Sequence, residues 1–195
     1  MKKLLTILIL VLVFQNSSYG DDISNLEIEG MSIGNSLLDY ISIQEISESE
    51  KIASFYKDYK FKVIFINKYS EKYERLQTTI KSNDKNFIIY SIDGLIDFEN
   101  RINESKKEKE IIIASLTKLI DNFKRVNENK KHRGDESGES FIYGSWFFLD
   151  SGGFFEVSCT DYGSEAYKNH GWTDELNISI TSEEFSLYLS NDAYN

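Results

Sequence analysis

Two stretches of this chain carry residue types at spacings that could do chemistry. Gly30-Met31-Ser32-Ile33-Gly34 matches G-x-S-x-G, the strand-to-helix turn that lifts a serine hydroxyl toward a general base. Asp93 or Asp97, followed by His132 or His170, would complete the chain order Ser, Asp, His, so Ser32 and His170 are the candidate catalytic pair of a small serine hydrolase. Against this, Ser32 precedes every strand signal that could supply the parallel sheet of such an enzyme, and Gly with Ser equally suits a turn entering a helix. The second stretch, Asp161 to Asp174, is the longest connection between strand signals in the second half. Its rings can stack on a sugar or peptide, and its polar groups can hydrogen bond or hold a cation. Asp161, Tyr162, Tyr167, His170, Trp172 and Asp174 are therefore the expected ligand-binding residues.

The remaining candidates are weaker. His132, Asp135 and Glu136 with His170 show no recognised metal-ligand spacing, and neither a metal nor another cofactor is expected. Arg133-Gly134-Asp135 is an adhesion-type tripeptide that chance supplies often, and Asp135 to Ser140 reads as a polar turn before a strand. Cys159, the only cysteine, has no internal disulfide partner. It alternates with Phe155 and Val157 on what should be a core face, as a buried and unreactive thiol. Asn103-Glu104-Ser105 and Asn177-Ile178-Ser179 match glycosylation acceptors.

Charge narrows the partners. With 22 Lys and Arg against 32 Asp and Glu, the net charge is −10, and such a surface repels phosphate, which argues against nucleic acid and anionic lipid. Lys2 and Lys3 precede an apolar run from Leu4 to Phe14, followed by polar Gln15 to Gly20; this is the layout of a secretory signal peptide over residues 1–20. The run is too short to span a membrane, which needs about 20 residues. No cysteine sits at the cleavage site, which disfavours a lipid anchor. The mature chain, residues 21–195, is expected as a single globular domain in the periplasm or secreted, with no transmembrane segment.

These candidates need elements to position them. Short helices are expected from Asn35 to Tyr56, with capping boxes at Ser42-x-x-Glu45 and Ser47-x-x-Glu50. Alternation marks strands at Phe61 to Phe65, Leu76 to Ile80 and Phe87 to Phe98, with a bulge at Gly94. Ser105-x-x-Glu108 should open a helix to about Asn127, with Ile112, Leu116, Leu119, Ile120, Phe123 and Val126 on its buried stripe and Ile113 on its flank. Phe141 to Leu149 and Phe154 to Thr160 form a hairpin around Asp150-Ser151-Gly152-Gly153; Leu176, Ile178 and Ile180 mark one more strand, and Ser182 caps a final helix. The fold class is α+β: an antiparallel sheet of about six strands against a central amphipathic helix, laid out as two helix-plus-three-strand halves.

Ile28 to Leu38, containing Gly30-Met31-Ser32, resembles the helix entry of small outer-membrane assembly lipoproteins and of β-lactamase-inhibitor-like domains. Taken whole, from the signal through Gly30-Met31-Ser32 to Asp135-Glu136-Ser137-Gly138-Glu139-Ser140 and Phe185, the chain is similar to a group of exported bacterial α+β proteins of unknown function. That resemblance implies export and one domain, and no activity. The first reading is an exported, non-enzymatic binding module of the envelope whose partner is an envelope protein or glycan. The serine hydrolase at Ser32 and a structural envelope protein without a small ligand are the alternatives.

Overall fold

The computed structural model describes residues 23–50, 54–56, 58–66, 70–118, 120, 122–150 and 152–193. The signal expected over residues 1–20 and the stripe residue Leu119 lie outside them. The class is α+β, with a mostly antiparallel sheet and, among the described residues, four α-helices. A small hairpin, β1 (Glu27–Ile28) and β2 (Met31–Ser32), leads to helix α1 (Ile43–Glu50). Strands β3 (Ser54–Phe55), β4 (Phe61–Ile66), β5 (Arg75–Lys81) and β6 (Ile89–Glu99) follow, then helix α2 (Ile102–Leu116). Strands β7 (Phe123–Lys131), β8 (Phe141–Leu149) and β9 (Phe154–Asp161), helix α3 (Ser164–His170), strand β10 (Asp174–Thr181) and helix α4 (Glu183–Asn191) complete the chain. Among the described residues the large sheet has eight strands in the order β3-β4-β5-β6-β10-β9-β8-β7, rather than about six. The extra strands are the two-residue β3 and the long edge strand β7, and every pairing is antiparallel.

Alternation along the strands divides the sheet into two unlike faces. On the first face Ile92, Ile180, Phe155 and Phe147 stand in one cross-strand row. Gly94, Ile178 and Val157 form the next, and Ile96, Leu176 and Cys159 the third. The buried members of these rows belong to one apolar cluster that takes in Ile28 from the hairpin, Ile46 from α1, and Ile113 and Leu116 from α2. Phe155, Val157 and Cys159 do share that core face, at 2%, 0% and 0% exposure. The hairpin closes through Glu29 and Gly30, both at positive φ, the geometry of a type I′ turn. At α1 the first capping box is made as expected: Glu45 accepts from the Ser42 amide (2.8 Å) and Ser42 Oγ accepts from the Glu45 amide (3.2 Å). Ser47 lies inside α1 and opens no second helix.

Four local expectations are corrected. Helix α2 ends at Leu116, and residues to Asn127 do not continue it: Asn122 takes a positive φ of 57°, and Phe123 begins β7, where its ring lies 5.2 Å from Phe147. Pairing with the aromatic strand β8 overrides the helical spacing of the sequence. Because Phe123 and Val126 are strand residues, the stripe drawn through them was rotated, and Ile113 is in the core at 3% exposure instead of on the flank. Ser105 does not cap α2; it lies within the helix, fully buried, and donates to the Glu175 carbonyl at 3.4 Å. Gly94 makes no bulge: its ladder is regular on both sides, and its missing Cβ makes room for the Tyr73 ring, 2.5 Å from where that carbon would stand. The register shifts along β6 fall instead opposite Thr79 and Ile80 and opposite Asp174 and Glu175.

Two outcomes test this packing. Ile113→Ala and Leu116→Ala should each cost about 2–5 kcal/mol in denaturant unfolding with unchanged slope. Ile111→Ala, on the face that is 54% exposed, should stay within about 0.5 kcal/mol. Burial pushes the Cys159 thiol above its ordinary value, so a thiol reagent should label the native protein only as fast as the protein unfolds.

Candidate functional site

The second face of the sheet is polar where the first is apolar. Along the central strand β10, Glu175, Asn177, Ser179 and Thr181 alternate with Leu176, Ile178 and Ile180, and their neighbours continue the pattern. One row crosses five strands: Gln77, Asp93, Ser179, Glu156 and Trp146. Beside it run Leu95, Asn177, Ser158 and Gly144. The hairpin, α1 and α2 pack on the apolar face. Helix α4 covers one corner of the polar face, where Phe185 and Tyr188 close over Phe61.

Within the row the hydrogen bonds are directional. Gln77 Nε2 donates to Asp93 Oδ2 at 3.5 Å, and Ser179 donates to the same carboxyl. Trp146 Nε1 donates to Glu156 Oε2 at 2.9 Å, and Ser158 donates there too. The Trp146 ring lies flat across Gly144, where any Cβ would collide with it. Both carboxyls are half-buried. Desolvation, with Glu156 adding like charge, pushes Asp93 up to about 6. Desolvation also raises Glu156, against its donors and the Lys130 charge.

The opposite corner of this face is closed by a cluster of rings. His132 and Tyr162 approach to 5.2 Å, His132 and Trp172 to 5.4 Å, Tyr162 and Trp172 to 5.3 Å, and His170 stacks on Trp172 at 4.4 Å. The Tyr162 hydroxyl donates to Glu175 Oε1 at 3.2 Å, and Arg75 bridges Glu175 and Asp97 at 2.6 Å each. Burial, then Glu175, raises the Tyr162 phenol, while burial lowers the His132 imidazole, whose Nδ1 is shielded from solvent without a partner. Asp135 organises the loop before β8 by accepting from the amides and hydroxyls of Ser137 and Ser140, which hold its carboxyl far below the usual range. Ser140 Oγ in turn accepts from the Gly163 amide at 2.9 Å and so ties this loop to the start of α3. Between the two lies an open cleft of about 610 Å³ reaching from Asp135 to His170.

The structure therefore gathers Tyr162, His170 and Trp172 with His132, a residue the expected binding set omits. Asp174 is buried and accepts from the Tyr162 amide at 3.1 Å, an internal role. Asp161 is half-buried at the end of β9, and Tyr167 points outward from α3 at 59% exposure. Ser32 lies in β2, inside a hairpin and not on a strand-to-helix turn; Gly34 beside it bonds Ile89 at the start of β6. His170 precedes β10, whose Asp174 pairs with Glu99 at the end of β6. Ser32 and His170 are thus held near opposite ends of β6. Among the described residues no group of three or more His, Cys, Asp or Glu side chains is placed to hold a metal ion.

The row of Asp93, Glu156 and Trp146 was not singled out from the sequence. Its signal was present: the polar residues of β10 alternate strictly with the apolar ones that marked the strand. Comparison with protein-family models, curated proteins and solved structures finds no match, so the site is read from its own chemistry.

Asp93 supplies a pH test. Its folded value, about 6, lies above the ordinary 3.8, so the folded state holds the proton longer than the unfolded chain does. Its contribution is favourable below about pH 4 and is lost as pH rises through 6. A two-unit shift corresponds to at most about 3 kcal/mol. Asp93→Asn should accordingly raise the unfolding midpoint at pH 7.5 and leave it little changed at pH 4, measured by thermal melts across that range.

Proposed function

We propose that the mature chain is an exported, non-enzymatic binding module of the bacterial envelope, with the polar sheet face and the ring cluster at its end as the contact surface. The observation that carries this reading is a polar row across five strands, containing two half-buried carboxyls that accept from Gln77 and Trp146. Buried polar groups cost free energy unless something satisfies them, and stability alone would favour apolar residues there. Export rests on Lys2, Lys3 and the Leu4 to Phe14 run; cleavage after Gly20 leaves a chain of net charge −12, from 20 basic and 32 acidic residues. Among the described residues no helix is long and apolar enough to cross a membrane. The order of α1 with β3–β6 and of α2 with β7–β10, the latter with α3 inserted before β10, supports a diverged duplication whose last strands, β6 and β10, pair at the centre.

A photo-crosslinking amino acid placed at Tyr167, beside the ring cluster, tests the reading in envelope-expressing cells. A discrete adduct from position 167, with none from Glu48 on α1, is the expected result. Adducts from position 48 alone, or from neither, would contradict it. Intact mass of the envelope form should begin at Asp21, and a retained Met1 would remove export from the account.

A further inference from the structure

The free edge of the sheet at β7 is a second surface equipped to take a partner. Edge strands are commonly kept short, bulged or covered, and among the described residues β7 is none of these. Its nine residues pair with β8 in an unbroken register from Phe123↔Leu149 to Lys131↔Phe141, and every side chain beyond Phe123 is exposed. The strand at the other edge, β3, has two residues.

The register also fixes which backbone groups are open. Just past the strand, the His132 amide donates to the Ser140 carbonyl at 2.9 Å, which makes these two a hydrogen-bonded pair of the same antiparallel ladder. Bonded and non-bonded pairs alternate in such a ladder, so Lys124, Val126, Glu128 and Lys130 turn their N–H and C=O groups toward β8. Arg125, Asn127, Asn129 and Lys131 turn theirs outward, where nothing among the described residues takes them.

Charge decides which strand fits that ladder. Lys124 and Lys130 stand on one face of β7, Arg125 and Lys131 on the other, each pair about 20 Å apart along the strand. Among the described residues none of the four is in an ion pair. The chain as a whole has 32 acidic against 22 basic residues, whereas this strand has four cations and the single acid Glu128. Two β7 edges brought together antiparallel about Asn127 would set Lys124 opposite Lys130 twice, and like charges directly opposite destabilise a sheet. A second copy is thus disfavoured, while a strand with acids at both ends is favoured. Val126 at 36% and Phe148 at 38% exposure lie on the same face as Lys124 and give that strand apolar surface to cover.

We propose that β7 is a docking edge for an acidic, extended segment of a partner protein, added to the sheet as a further strand with carboxylates at its two ends and uncharged β-branched residues between. This goes beyond the binding surface proposed above and does not depend on it.

Fluorescence anisotropy of a labelled peptide with the mature protein tests the edge. The probe is a nine-residue peptide of valine and threonine with two glutamates at each end. Saturable binding is expected, at least tenfold weaker when the glutamates become lysines, or when alternate threonines become prolines that keep the charge but cannot join the ladder. Asn129→Pro removes an outward N–H without touching the bonds to β8 and should weaken binding at least tenfold in a protein that still melts cooperatively. Lys124→Glu combined with Lys131→Glu leaves the backbone alone; it should weaken the acidic peptide as much and let the lysine peptide bind instead. In hydrogen exchange followed by NMR, the acidic peptide should slow the amides of Arg125, Asn127 and Asn129 at least tenfold and leave that of Lys130 unchanged. Absence of saturable binding, equal binding of the proline peptide, an unaltered preference after the charge reversal, or unchanged exchange at those three amides would overturn the proposal. So would a concentration-dependent dimer of the mature protein that Asn129→Pro abolishes, which would give the edge to a second copy.

Discussion

An antiparallel sheet has two faces, and among the described residues the hairpin, α1 and α2 pack on one of them while α4 covers a corner of the other. That constraint is written most plainly in β10, the central strand, where Leu176, Ile178 and Ile180 point to one side and Glu175, Asn177, Ser179 and Thr181 to the other. A shift of one residue would exchange the two sets and put carboxylates against α2. The apolar set is joined by the hairpin, α1 and α2 in one cluster, and it carries the hydrophobic term that makes the fold stable. The polar set lies outside that cluster, though Glu175, Ser179 and Thr181 are buried as well.

The connections follow from the same division. Helix α2 leaves the centre of the sheet after β6, crosses the apolar face over β9 and β10, and delivers the chain to the far edge at β7. Edge strand β7 exposes Lys124, Arg125, Lys130 and Lys131, charges that discourage pairing with a second copy, and one of them, Lys130, reaches back to Trp146. The polar face is closed at two opposite corners. At one, Phe61, Phe185 and Tyr188 form a small aromatic core beneath α4. At the other, the rings of His132, Tyr162, His170 and Trp172 are held by the Asp135–Ser140–Gly163 chain of hydrogen bonds and by the Arg75–Glu175–Tyr162 chain. The row containing Asp93 and Glu156 runs between these two corners.

Much of this was legible in the sequence, and the failures have physical causes. The strands around Phe65, Ile80 and Ile178, the β8–β9 hairpin, the Ser42 capping box and the Ser182 cap (3.3 Å to the Phe185 amide) are local features, set by alternation or by residues three apart. The end of α2 is not local. Val126 stands at helical spacing from Phe123, and only the ladder to β8, completed some twenty residues later, decides for a strand. The ring cluster was half visible: Tyr162, His170 and Trp172 share one stretch of chain, whereas His132 comes from the end of β7, across the sheet order. Ser32 is the reverse case, one where the sequence already weighed against a nucleophile. A five-residue pattern suggested a nucleophile, and the three-dimensional context is a hairpin turn made by Glu29 and Gly30. The Asp93–Glu156 row needed the strand order itself, since its members come from five strands.

The central claim is that the polar face holds carboxyls in a partly desolvated row, kept there at a cost to stability. It is tested most directly by a carbon-detected NMR titration of the side-chain carboxyls in the mature protein. The account predicts that Asp93 titrates with a midpoint near 6 and Glu156 above the ordinary glutamate value. Midpoints for both at or below the ordinary 3.8 and 4.5 would mean that the row is fully hydrated or fully paired, and the account of this face would be wrong.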